Sequence, residues 1–148
     1  MKICFISGPK KPTKCGVTDY VYLLGSKLKS LGNIVTTIHL ENSEDYLLLK
    51  EKLPSADLYS LQFSPYAFSQ SGIPGKHFKK LANSLKSKKT QINFHEIWIG
   101  AYPNARWTEK IIGWVQKREI IKFLSTINSR IITTSNSAAL DRLGREGI

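Results

Sequence analysis

Five times along this chain a short apolar run gives way to an amphipathic stretch of helical period, and that alternation constrains the fold more than any other feature. The first strand is predicted over Lys2–Ser7, with later ones over residues 34–40, 58–63, 92–94 and 130–135. Between them the apolar positions recur at helical spacing. Val17, Val21, Leu24, Leu28 and Leu31 form one stripe, and Gly32 supplies its stop. A short helix is predicted over residues 46–53, closed by Pro54. The third runs from Lys76 to Leu85 with Phe78, Leu81, Ala82 and Leu85 inward. The longest spans Trp107–Ile127, with Ile111, Trp114, Val115, Ile121 and Leu124 as its expected buried side. The last runs from Ser137 to Arg145, capped by Ser137 or Asn136. Strand and helix in strict alternation imply an α/β fold: a Rossmann-like parallel sheet with helices on both faces, joined by right-handed crossovers.

At 148 residues the chain suits one domain with a proper core. No apolar run approaches the roughly 20 residues that a membrane-spanning helix needs. The apolar start Ile3-Cys4-Phe5-Ile6 is too short for a signal peptide and reads as a strand. Two cysteines, Cys4 and Cys15, make no disulfide framework, and a reduced, cytoplasmic protein is the simplest expectation. A zinc site is not expected, because no second ligand pair accompanies them. The net charge of +11 calls for an anionic partner: a phosphorylated ligand, an anionic membrane face or nucleic acid. Nucleic acid is the least favoured, since the aromatics fall in strands and loops rather than beside the lysines.

Open α/β sheets place ligands beyond the carboxyl ends of their strands. The fourth strand ends in His95-Glu96, and a bulky loop with Ile97, Trp98, Gly100, Tyr102 and Pro103 follows. His95 is the candidate catalytic group, and Glu96 beside it could orient the imidazole. A single histidine is more often a satisfied structural residue than a catalytic one. After the first strand comes Gly8-Pro9-Lys10-Lys11-Pro12-Thr13-Lys14-Cys15-Gly16, which carries neither G-x-G-x-x-G nor a P-loop signature. What remains is Gly16 at a helix amino terminus, either an anion site or a turn residue, with Lys14 near enough to steer an anion. Tyr66, beyond the third strand, could stack on a sugar or could pack its own loop. Thr134 and Ser135 end the fifth strand and could bind an oxygen ligand or cap the next helix. No Ser-His-Asp set, paired carboxylates or metal-ligand spacing can be assembled.

Four of these stretches, in this order, resemble the amino-terminal domain of bacterial GT-B glycosyltransferases of the large retaining family 4. They are Cys15-Gly16-Val17-Thr18-Asp19-Tyr20, Leu61-Gln62-Phe63-Ser64-Pro65-Tyr66-Ala67-Phe68, Asn93-Phe94-His95-Glu96-Ile97-Trp98, and Ile131-Ile132-Thr133-Thr134-Ser135-Asn136. The resemblance implies the amino-terminal, acceptor-side half of a GT-B fold. It implies a nucleotide-sugar as co-substrate and no separate cofactor or metal. It places Gly16, with Lys14 beside it, near the donor phosphates, and His95 near the transferred sugar. Tyr66, Glu96, Trp98 and Ser135 fall on the side of a glycan or lipid-linked acceptor. The carboxyl-terminal donor domain of that family is absent from these residues, so the chain by itself is expected to be inactive. The lysines from Lys76 to Lys89 could rest on an anionic membrane surface, which would make the protein peripheral on the inner face of a membrane.

The competing class is a non-enzymatic, flavodoxin-like binding domain for an anionic ligand or a partner subunit. A phosphoryl-accepting receiver domain is excluded, because Ser7-Gly8-Pro9 and Gln62-Phe63 stand where its acidic residues belong.

Overall fold

The computed structural model describes residues 1–10, 15–69, 71–73, 75–127, 129 and 131–148. Five strands, β1 (Lys2–Ser7), β2 (Ile34–His39), β3 (Leu58–Phe63), β4 (Thr90–Phe94) and β5 (Ile131–Thr134), form one sheet. All pairings are parallel, and the order across the sheet is β2-β1-β3-β4-β5. The connecting helices are α1 (Gly16–Ser30), α2 (Ser43–Lys52), α4 (Lys76–Leu85) and α5 (Trp107–Ile127). A one-turn helix, α3 (Pro65–Phe68), follows β3, and α6 (Ser137–Arg145) follows β5. The α/β Rossmann-like class expected from the alternation is therefore the observed one.

Boundaries shift where a side chain outweighs the apolar pattern. Helix α2 starts three residues before the predicted Tyr46, because Asn42 and Asp45 build a reciprocal capping box. Helix α6 is capped by Asn136, whose side chain accepts the Ala139 N–H at 2.7 Å. The long loop after β3 folds back as α3, and Phe68 is buried among Phe63 and Phe78. Leu31, predicted to complete the α1 stripe, is 65% exposed because it lies beyond the last helical residue.

The two sheet faces differ in chemistry. Alternate residues of β1 point to opposite sides. Cys4 and Ile6 join Leu61, Phe63, Ile92 and Phe94 in the main core, which α2, α4 and α5 cover. Ile3 and Phe5 meet Val21, Leu24 and Leu28 of α1 in a smaller one. On that second side, β3, β4 and β5 carry Ser60, Gln62, Gln91, Asn93 and Thr133 in place of apolar residues.

Helix α5 has the predicted length but turns a different face inward; of the residues expected there, Leu124 packs against the core and Val115 is half-buried. The expected inward residues Ile111, Trp114 and Ile121 are 55%, 52% and 37% exposed. Gly113, Gln116, Ile120, Phe123 and Ile127 face the core instead. The cause is a close approach of the loop that leaves β4. A β-carbon on Gly113 would lie 1.9 Å from the Ile99 carbonyl oxygen, and the Gln116 Oε1 accepts the Ile99 N–H at 2.8 Å. Two residues that look like surface positions are thus required where helix and loop touch.

Candidate functional site

In this strand order the chain leaves β1 toward β2 on one side, then crosses back to β3 and continues outward through β4 and β5. The switch point lies between β1 and β3, and doubly wound sheets open a crevice there. A cleft of about 470 Å³ occupies that position. One wall is the end of β1 and the loop after it, from Ser7 to Pro9. A second is the first turn of α1 with the preceding Cys15, and the third comprises Ser64, Tyr66, His95 and Glu96.

Gly8 lets the walls meet. A β-carbon there would fall 2.5 Å from the Ala67 carbonyl oxygen, so α3 can rest against the β1 loop only over a glycine. Gly16 is different: among the described residues a β-carbon there would meet nothing within 4 Å. It is exposed at the first residue of α1, and its amide belongs to the unpaired N–H groups of a helix start. Among the described residues there is therefore open space where the backbone could take an anion.

His95 extends the β4 pairing by one step, its N–H donating to the Phe63 carbonyl at 2.9 Å. Its side chain consequently falls on the same sheet face as Asn93, two residues earlier. There it joins a closed ring of hydrogen bonds. Gln62 Nε2 donates to Ser60 Oγ at 2.8 Å, and Ser60 Oγ donates to Gln91 Oε1 at 3.1 Å. Gln91 Nε2 donates to Thr133 Oγ1, Thr133 Oγ1 donates to Asn93 Oδ1, and Asn93 Nδ2 donates to Gln62 Oε1. Every member both gives and receives.

In this sense of the ring the imidazole meets an acceptor. Gln62 spends its amino end on Ser60 and so presents Oε1 to His95 Nε2, 2.9 Å away. That oxygen can only accept, and Asn93 Nδ2 stands 3.2 Å from the same nitrogen; the shorter contact, to Gln62, favours a proton on Nε2, which leaves Nδ1 as an acceptor. Burial holds the His95 pKa below its ordinary value, and the negative charge of Glu96 opposes this in part. Tyr20 of α1 closes the ring's outer side, edge-on at 5.0 Å between centroids. The imidazole is thus held at the cleft wall with its protonated form disfavoured.

Glu96 is exposed and does not perform the orienting role expected of it. Its carboxylate accepts from Ser64 Oγ at 2.5 Å, tying the end of β3 to the start of the loop after β4. Tyr66 is 44% exposed and lines both the cleft and a neighbouring hollow of about 330 Å³. Trp98 lies in that hollow with Glu96, Ile97 and Ile99. Ser135 is exposed beyond the edge strand β5 and lines neither opening. Lys14 lies outside the described residues. Gln62, Asn93, Ser64 and Tyr20 were not singled out from the sequence. Ser60-x-Gln62 and Gln91-x-Asn93-x-His95 do show polar residues at period two inside apolar strands, and that was the available signal.

A slightly larger cleft, about 500 Å³, runs between α4 and α5, away from the strand ends. Among the described residues no group of three or more His, Cys, Asp or Glu is placed to hold a metal ion.

Fold and cleft together define a doubly wound α/β domain with a ligand-sized opening at its switch point. No protein-family model matches the chain, and no curated protein or solved structure matches it.

Proposed function

We propose that this chain is the amino-terminal, acceptor-side domain of a retaining glycosyltransferase that uses a nucleotide-sugar. The observation that carries the reading is the meeting of two features in one cleft: a helix start at Gly16 that the described residues leave open, and His95 opposite it with its pKa lowered by burial. On this reading the α1 amides face the donor diphosphate, whose charge the helix dipole favours. The His95 Nδ1 lone pair accepts a hydrogen bond from a hydroxyl of the transferred sugar. Tyr66 and Trp98 supply ring faces for the acceptor, and Glu96 a charged hydrogen-bond acceptor at its edge. Retention by front-face transfer lets the donor phosphate take the acceptor proton, so no protein nucleophile is required. The nucleotide itself falls to a second domain, and turnover is expected of the two-domain protein rather than of these residues.

A second reading has one observation in its favour. The order β2-β1-β3-β4-β5 is the flavodoxin-like one, whose switch point binds flavin phosphate. Titrations followed by amide chemical shifts separate the two. Pyrophosphate or a nucleoside-diphosphate sugar should move Gly16, Val17, Thr18 and His95. The glycosyltransferase reading fails if those signals stay fixed while flavin mononucleotide moves them.

A further inference from the structure

The outward turn of α5 leaves a stripe that the core does not use. Trp107, Ile111, Trp114, Arg118 and Ile121 follow one another at steps of four, three, four and three residues, which places them along one helix face. Trp107 is 73% exposed, and the Arg118 guanidinium lies over the Trp114 ring at 4.8 Å. Cations flank the stripe. Lys110 and Lys122 are exposed on α5, and Lys76 and Lys79 are exposed on α4 across the adjoining cleft. Glu119 is the acid lining that cleft.

We infer that this α4–α5 face docks the protein on an anionic lipid bilayer. Tryptophan and aliphatic side chains beside lysine and arginine are the composition of helices that lie in the membrane interface. Trp107, Ile111, Trp114 and Ile121 enter the headgroup boundary, while Lys110, Arg118, Lys122, Lys76 and Lys79 meet lipid phosphates. Charge selects this occupant over a second copy of the chain, because two such faces would bring their cations together. No helix among the described residues is long and apolar enough to cross a membrane, so the contact is peripheral. The inference does not rest on the glycosyltransferase reading; of the lysines from Lys76 to Lys89 it keeps Lys76 and Lys79, and it adds the α5 stripe.

The test is co-sedimentation of the 148-residue chain with vesicles of phosphatidylcholine alone or mixed with phosphatidylglycerol. Binding is expected to the mixed vesicles only, with a blue shift of tryptophan emission and quenching by brominated lipid. Each cation near such a surface strengthens binding roughly fivefold. Arg118→Ala/Lys122→Ala should therefore lose roughly 25-fold. Lys27→Ala/Lys29→Ala, which removes equal charge from α1 on the other side of the sheet, should bind like the parent. Trp107→Ala/Trp114→Ala should lose roughly tenfold or more. Circular dichroism verifies that the variants fold, and lipid quenching of the parent needs no substitution. The inference is overturned by absence of binding to mixed vesicles or by equal losses in the two charge variants. It is also overturned by a tryptophan variant that binds undiminished, or by a dimer that uses this stripe in place of vesicles.

Discussion

The orientation of α5 can be tested by two substitutions at neighbouring positions, Gly113→Ala and Trp114→Ala. With Gly113 inward, the new β-carbon starts 1.9 Å from the Ile99 oxygen. An ordinary C···O contact is about 3.3 Å, so helix and loop must separate by about 1.4 Å. The obstacle is backbone, which cannot swing aside as a side chain would. The cost lies near the upper end of what extra methyl groups inflict on packed sites, about 3 kcal/mol. Exchanging glycine for alanine within a helix returns about 1 kcal/mol. The net expectation is a loss of about 2 kcal/mol, or a fall of roughly 4–8 °C in melting temperature for a domain of this size. Trp114→Ala removes a half-exposed ring and should stay within about 0.5 kcal/mol of the parent. Were the stripe through Trp114 the buried one, the signs would reverse. Trp114→Ala would then cost about 3–5 kcal/mol. Gly113→Ala would gain up to about 1 kcal/mol. Urea unfolding followed by far-ultraviolet circular dichroism gives both values without depending on the lost tryptophan. A Gly113→Ala protein as stable as the parent refutes the reasoning, as does a Trp114→Ala protein destabilised like a core truncation.

Other consequences follow from the cleft. Gly16→Ala should raise stability by about 0.4–1 kcal/mol while weakening pyrophosphate binding, which calorimetry and thermal melts read separately. His95 has a lower pKa folded than unfolded, so the unfolded chain binds the extra proton. Stability from this group is complete above pH of about 6.5 and falls as pH drops from there toward the folded pKa. Urea midpoints across that range should show the slope in the parent and lose it in His95→Asn. Gln62→Glu keeps the shape and puts a carboxylate against Nε2, so the His95 pKa should rise, seen by imidazole carbon shifts in NMR. Asn42→Ala removes the α2 cap and should cost about 1 kcal/mol in the same unfolding assay.

The sheet was legible because each strand is a short apolar run and each helix an amphipathic one. Period and order alone then dictate parallel pairing. The α4 stripe was legible for the same reason, since Phe78, Leu81, Ala82 and Leu85 are both apolar and buried. Helix α5 defeated the same rule because it carries apolar residues on two faces, and the hydrophobic period cannot say which faces the core. Contact with the loop after β4 decided it, through a glycine and a glutamine that carry no apolar signal. The capping box of α2 was readable in Asn42 and Asp45 but was outweighed by the apolar run that starts at Tyr46. At the site, the strand-end position marked His95, whereas its partners are Gln62, 33 residues away in β3, and Asn93, two residues back in β4. Glu96 was the nearest carboxylate in sequence, but alternation along an extended chain turns neighbours apart, and Ser64 holds it.

The two surfaces are related by the topology. The loop that leaves β4 at His95 runs to Trp107, where α5 begins, so the α5 start stands at the same sheet edge as the cleft. The hollow containing Trp98 shares Tyr66 and Glu96 with the cleft. Gly113 clamps that loop onto α5, which couples the position of His95 to the helix carrying the exposed tryptophans. A protein resting on a bilayer through this stripe would therefore hold its cleft beside the lipid headgroups. An acceptor anchored in that bilayer could reach His95 without leaving it, and a soluble acceptor would gain nothing from the arrangement. The proposed membrane contact and the proposed chemistry can each fail alone, but if both hold, the acceptor they select together is a lipid-linked one.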